Sequence, residues 1–123
     1  MNGRSVGLAI LLIASAAAVT SAQVPPSPGE QSRYTGLLAA AARGDAAEIR
    51  ALTAGGASPD VRDGYQRTPL HVAAYHRHQE AMRALVAAGA NPNALERDRY
   101  DIVTIAAVAN NGPTLEAALA LGT

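Results

Sequence analysis

Three histidines, His71, His76 and His78, are the only imidazoles in this 123-residue chain, and their clustering invites a metal-binding reading. The spacing argues against it. His76 and His78 stand two apart, which on a helix points them away from each other, and no third ligand follows at a suitable interval. Absence of cysteine excludes thiolate metal sites, disulfides and a cysteine-borne lipid anchor. The carboxylates Asp60, Asp63, Glu96 and Asp98 lie in turn-rich stretches, where capping of nearby backbone amides is their commoner use. No nucleophile sits in a strand-turn-helix elbow and no glycine-rich loop follows a strand. No catalytic residue, metal ligand or cofactor is therefore assigned.

Composition narrows the field further. Ten basic residues balance ten acidic ones, so the totals carry no footprint for nucleic acid or another polyionic partner. All ten basic residues are Arg, a bias that GC-rich coding produces as readily as selection for bidentate contacts. With no Cys, Trp or Phe, the core must be built from Leu, Ile, Val, Ala and four Tyr. Each Ala buries little area, so stability has to come from many short-range contacts between closely approaching helices.

The chain opens with a single positive charge at Arg4, an apolar run from Val6 to Val19, and small residues up to Ala22. This order predicts a secretory signal peptide over residues 1–22, cut after Ala22. The run falls short of the ~20 residues a membrane-spanning helix needs, so no stable membrane insertion is expected after cleavage. Residues 23–30 follow, with Pro25, Pro26 and Pro28 close together; they read as an extended spacer tethering the domain. Export to a periplasm or secretion is the expected destination.

From Thr35 onward the chain repeats itself. A shift of 33 residues carries Thr35 onto Thr68, Ala40-Ala41 onto Ala73-Ala74, and Gly56-Ala57 onto Gly89-Ala90; a second such shift reaches Asp101, Ala106-Ala107 and Gly122. A period of this length means stacked supersecondary units that cannot bury their apolar faces singly. Asp63 and Glu96 also fall at matching positions, which favours a structural role for both. Thr68-Pro69-Leu70-His71-Val72-Ala73-Ala74 resembles the signature of the ankyrin repeat, and Leu85-Val86-Ala87-Ala88-Gly89-Ala90-Asn91-Pro92-Asn93 its helix end and loop. The outer copies spell the signature as Thr35-Gly36-Leu37-Leu38 and Asp101-Ile102-Val103-Thr104. Small exported bacterial ankyrin proteins are the nearest resemblance. It implies an all-α solenoid of about three helix-turn-helix repeats with short finger loops, the domain spanning 31–123 with repeats near 31–63, 64–96 and 97–123.

Local chemistry agrees with this architecture. Thr68 suits a helix N-cap, Pro69 the first helical position, and His71 can reach back to the cap. Asp45 with Glu48 forms a capping-box pattern at the second helix of the first repeat. Ile49, Leu52 and Thr53 correspond to Met82, Leu85 and Val86, then to Leu115, Ala118 and Leu119, on one helical face. Gly55-Gly56, Gly89 and Gly122 are placed to end those helices with φ > 0. The family usually carries Gly two residues before the signature threonine, where Gln66 and Arg99 stand here; Asp63-Gly64 places the first finger's tight turn earlier.

The resemblance implies partner binding at the concave surface made by finger tips and first helices. The positions projecting there are Tyr65, Arg67, Val72, Tyr75 and His76 in the middle repeat, with Arg97, Asp98, Tyr100, Ile105 and Val108 in the last. Tyr and Arg dominate interface hot spots, so a non-enzymatic module binding an unidentified protein is the leading expectation. Tyr65 and Tyr100 could equally serve to pack fingers against neighbouring helices. The rival is a self-associating piece or part of a longer array: Ile102, Val103, Ile105, Val108, Leu115 and Leu119 leave the third repeat with an apolar outer face, which would support a homo-oligomer.

Overall fold

The 33-residue period becomes three helix pairs stacked side by side. In the computed structural model, residues 23–122 are described, and the expected signal segment lies outside them. A short helix α1 (Pro28–Ser32) precedes the pairs α2 (Gly36–Arg43) with α3 (Ala46–Ala54), α4 (Pro69–Tyr75) with α5 (Gln79–Ala87), and α6 (Ile102–Val108) with α7 (Gly112–Gly122). The first helices α2, α4 and α6 pack in one row and the second helices α3, α5 and α7 in another, each pair also packing internally. Finger loops join one pair to the next. Among the described residues there is no strand, so the architecture is the all-α solenoid the repeat implied.

The middle repeat shows why its signature starts a helix. Thr68 is extended, its hydroxyl accepts from the His71 amide at 3.3 Å, and His71 Nδ1 accepts from the Thr68 amide at 3.0 Å. Two orphan donors are satisfied reciprocally, an arrangement in which the cap alone contributes about 1 kcal/mol. Because Nδ1 accepts, the proton belongs on Nε2, which faces the carbonyls of Ala94 at 2.9 Å and Tyr100 at 3.1 Å. His71 is thus neutral and ties the second finger to α4; burial holds its pKa below the ordinary value.

The flanking pairs begin less firmly. Thr35 makes no side-chain cap bond, and Gly36, in the place of proline, sits at φ 55°. Asp101 does cap, accepting from the Thr104 amide at 2.9 Å. Asp45 likewise accepts from the Glu48 amide at 3.0 Å, although its own amide goes to Ala40 rather than to the Glu48 side chain. Left-handed residues recur between paired helices at Gly44, Arg77 and Asn110, with φ of 73°, 62° and 55°. Gly56 and Gly89 end α3 and α5 at positive φ, and Gly122 is the last described residue of α7.

Small residues set the spacing. Ala40, Ala41, Ala73 and Ala106 are essentially inaccessible where first helices meet, while Ile49, Met82 and Leu85 fill the space under the second helices. Close-packed Ala contacts distribute stabilisation over many small increments. Ile102 and Ile105, expected on an uncovered outer face, are also buried; Val108 and Leu119 remain exposed there, with Val103 and Leu115 half-buried.

Candidate functional site

The two described fingers are built alike. In the first, the Asp63 amide donates to the Arg67 carbonyl at 2.9 Å and the Gln66 amide to the Asp63 carbonyl at 3.0 Å; in the second, Glu96 pairs with Tyr100 at 3.1 Å and Arg99 with Glu96 at 2.8 Å. Asp63 Oδ1 accepts from the amides of Tyr65 and Arg67 at 2.8 and 2.9 Å, and Glu96 Oε1 from Asp98 at 2.7 Å. The matched carboxylates are therefore turn braces. Gln66 and Arg99 take the left-handed conformation at φ 65° and 69°. Gly64 does not, so the tight turn is not displaced: the geometry stays where the family has glycine, and non-glycine residues bear it.

Side chains then lace one finger to the next. The Arg97 amide donates to the Tyr65 carbonyl at 3.1 Å and its guanidinium to the Gly64 carbonyl at 3.2 Å. Arg62 bridges the carbonyls of Gln66 and Leu95 at 2.6 and 2.8 Å. Tyr65 donates to Asp98 Oδ2 at 2.7 Å, and the guanidinium carbons of Arg67 and Arg97 lie 4.6 and 4.7 Å from its ring centre. Such cation–π contacts contribute about 0.5–1 kcal/mol where exposed.

Of the ten residues read as projecting, three do not project. Arg67, Val72 and Ile105 are each 0% exposed. Arg67 is the base of the first finger, ion-paired to Asp63 at 2.8 Å and Glu30 at 3.3 Å. Burial alone would raise the Asp63 carboxyl, but hydrogen bonds from Tyr34, Arg67 and Tyr65 outweigh it and hold it below its ordinary value. Tyr75, His76 and Tyr100 are half-buried; the Tyr75 hydroxyl donates to Glu96 Oε2 at 3.0 Å. Tyr65 is half-buried, while Arg97, Asp98 and Val108 are open to solvent. The imidazoles of His76 and His78 approach to 5.9 Å because α4 ends at Tyr75 and Arg77 turns the chain left-handed; the helical argument that separates them does not apply. His78 Nε2 instead meets the Ala42 carbonyl at 3.2 Å, and among the described residues no group of three or more His, Asp or Glu is arranged to hold a metal.

The segment read as a spacer makes the contacts that reading missed. Gln23 Nε2 donates to the Ile105 carbonyl at 3.3 Å, the Arg67 guanidinium donates to the Val24 carbonyl at 3.0 Å, and Pro26 is buried. Residues 23–27 carry no helix or strand, with Ser27 extended, and they lie against the repeats rather than hanging free. Ser27 and Glu30 then form a reciprocal capping box at 2.8 and 3.1 Å that starts α1. That pattern, Ser followed three residues later by Glu with Pro at the first helical position, is legible in the sequence.

A family model described as ankyrin repeats in three copies matches residues 6–96, and the chain belongs to the ankyrin-repeat family. The pair α6–α7 lies beyond the matched residues and continues the stack. No curated protein matches the chain. Ankyrin repeats are generally protein–protein interaction modules and typically carry no enzymatic activity. Among the described residues no helix is long and apolar enough to cross a membrane.

Proposed function

We propose that this protein binds a partner protein through its finger tips and the exposed end of its first-helix row, with Tyr65, Arg97, Asp98 and Val108 as the contact residues. The observation carrying this reading is the lacing between fingers, in which Arg62, Tyr65, Arg97 and Asp98 bond across neighbouring repeats. A surface fixed before binding loses less conformational entropy on association, so more of its contact energy appears as affinity. Val108, 57% exposed at the C-terminal end of α6, adds an apolar contact at the far end of the same helix row. Self-association through the third repeat has less support, since Ile102 and Ile105 are covered.

Export belongs to the same proposal: residues 1–22 direct the chain out of the cytoplasm of a bacterial cell and are removed after Ala22. Mass spectrometry of the protein from the periplasm or medium tests it, with a chain beginning at Gln23 as the expected result. Partner binding is tested by cross-linking capture from the source organism, comparing the wild type with Val108→Glu and Arg97→Glu. Loss of the same captured protein by at least about tenfold, the scale of a hot-spot residue, is expected with unchanged helical circular dichroism. Undiminished capture by both variants would refute the assignment of this surface.

A further inference from the structure

The first-helix row is already occupied, and the occupant describes what the row accepts. We infer that it is a groove for an extended Val-Pro-Pro type peptide, and that residues 23–26 of this chain fill it in cis until such a peptide displaces them. The inference rests on the reading of the finger and first-helix side as the binding side, but names a different part of it.

Three observations support it. The segment crosses the stack: Gln23 bonds to Ile105 in the third repeat, Val24 to Arg67 at the middle repeat, and Glu30 to Arg67 from the start of α1, next to the first repeat. Ile105, whose carbonyl takes the Gln23 bond, and Val72 occupy equivalent positions of α6 and α4, and both belong to the buried core of the first-helix row over which the segment runs. Pro26 is buried as well, and its carbonyl accepts from Gln31 Nε2 at 3.0 Å.

The chemistry selects an extended, proline-containing strand. Such a chain makes no internal hydrogen bonds, and a buried proline leaves no orphan N–H. Its carbonyls need donors, and the Arg67 guanidinium supplies one from a fully buried position. In the other two repeats the equivalent position is Tyr34 and Tyr100, so this donor is particular to the middle unit. Asp63 and Glu30 hold the guanidinium in place, and Glu30 arrives with the strap itself. A segment linked in cis acts at an effective concentration of order millimolar, so a competing peptide is suppressed until the strap is loosened.

The test uses the full chain and a fluorescent acetylated peptide, QVPPSPG, copied from residues 23–29. Wild-type protein should bind it weakly. The double variant Val24→Asp with Pro26→Asp, which disfavours the strap, should bind it at least about tenfold more tightly than wild type, because the cis competitor is gone. Adding Arg67→Gln should remove the gain. A double variant of native helicity that binds QVPPSPG no better than a scrambled peptide overturns the inference. Should that variant lose its helicity, a second measurement decides: the chain lacks cysteine, so Pro25→Cys takes a single spin label. Broadening of the Val72 and Ile105 methyl resonances before that of Thr53 on the outer row supports the seated strap. Equal broadening, or broadening only between mixed labelled and unlabelled copies, overturns it. Peptide binding is read without the captured partner, so either proposal can fail while the other stands.

Discussion

Replacing Gln66 and Arg99 by glycine should make this protein more stable, although glycine is the more flexible residue. Both adopt left-handed φ, 65° and 69°, at equivalent places in successive fingers, and both side chains are exposed. An L-residue held there costs about 1–2 kcal/mol through the contact between its Cβ and the following carbonyl. Glycine removes that contact but loses about 0.5–1 kcal/mol more in conformational entropy on folding. The net gain is about 0.5–1 kcal/mol per site, and two such sites in different fingers should add to about 1–2 kcal/mol. For a domain of this size that raises Tm by roughly 5–15 °C. Circular dichroism melts and urea titrations of Gln66→Gly, Arg99→Gly and the pair measure it. Gly64→Ala is the control from the same turn: Gly64 is not at positive φ and a Cβ there meets nothing within 4 Å. It should be neutral or gain up to about 1 kcal/mol through the unfolded state. An unchanged or lowered Tm for both Gln66→Gly and Arg99→Gly would refute the turn-strain reasoning.

Gly44→Ala should act in the opposite sense: Gly44 sits at φ 73° and a Cβ would lie 2.7 Å from the His78 ring. The left-handed cost and the overlap together predict a loss of about 2–4 kcal/mol in urea, partly recovered by His78→Ala. Thr68→Ala should cost about 1–2 kcal/mol by deleting a working cap. Thr35→Ala should leave the urea midpoint nearly unchanged, because Thr35 makes no side-chain cap bond. His71 predicts the pH dependence: burial holds its folded pKa below the unfolded 6.5, so the unfolded chain takes up the proton first. Stability is then full above about pH 6.5 and falls as pH drops below it, by up to about 1.4 kcal/mol per pH unit until the folded pKa is reached. Equal urea midpoints at pH 7.5 and 5.5 would contradict this sign, which His76 shares because burial lowers it too.

The stack was legible because its signals are local and recur. Thr68, Pro69 and His71 start a helix by interactions spanning three residues, and the period alone pairs Ala73 with Ala40 and Ala106. The matching of Asp63 with Glu96 likewise points to a structural role for both, and both brace their turns. Less legible was what depends on how far one unit turns against the next. The family resemblance placed Arg67 on a projecting position of the concave surface. It could not show that two carboxylates and a carbonyl converge to bury its charge, since one carboxylate and the carbonyl come from outside the repeat.

The strap was missed for a related reason. Three prolines within residues 23–29 describe a segment that cannot be helical at its start, and flexible tethers and docked strands share that description. What separates them is whether the carbonyls of the strand find donors, a property of the surface beneath. Here the donor from that surface is the Arg67 guanidinium, at 3.0 Å, while the Gln31 amide of α1 adds a local bond to Pro26, also at 3.0 Å. The third repeat is likewise less apolar on its outer face than its sequence implies. Ile102 and Ile105 looked uncovered while only the second repeat was available to cover them. With α7 against α6 and Gln23 bonded at Ile105, the apolar surface of that end shrinks to a few side chains such as Val108. The finger tips that carry Arg97 and Asp98 remain exposed, a polar surface of the kind that rims a protein interface.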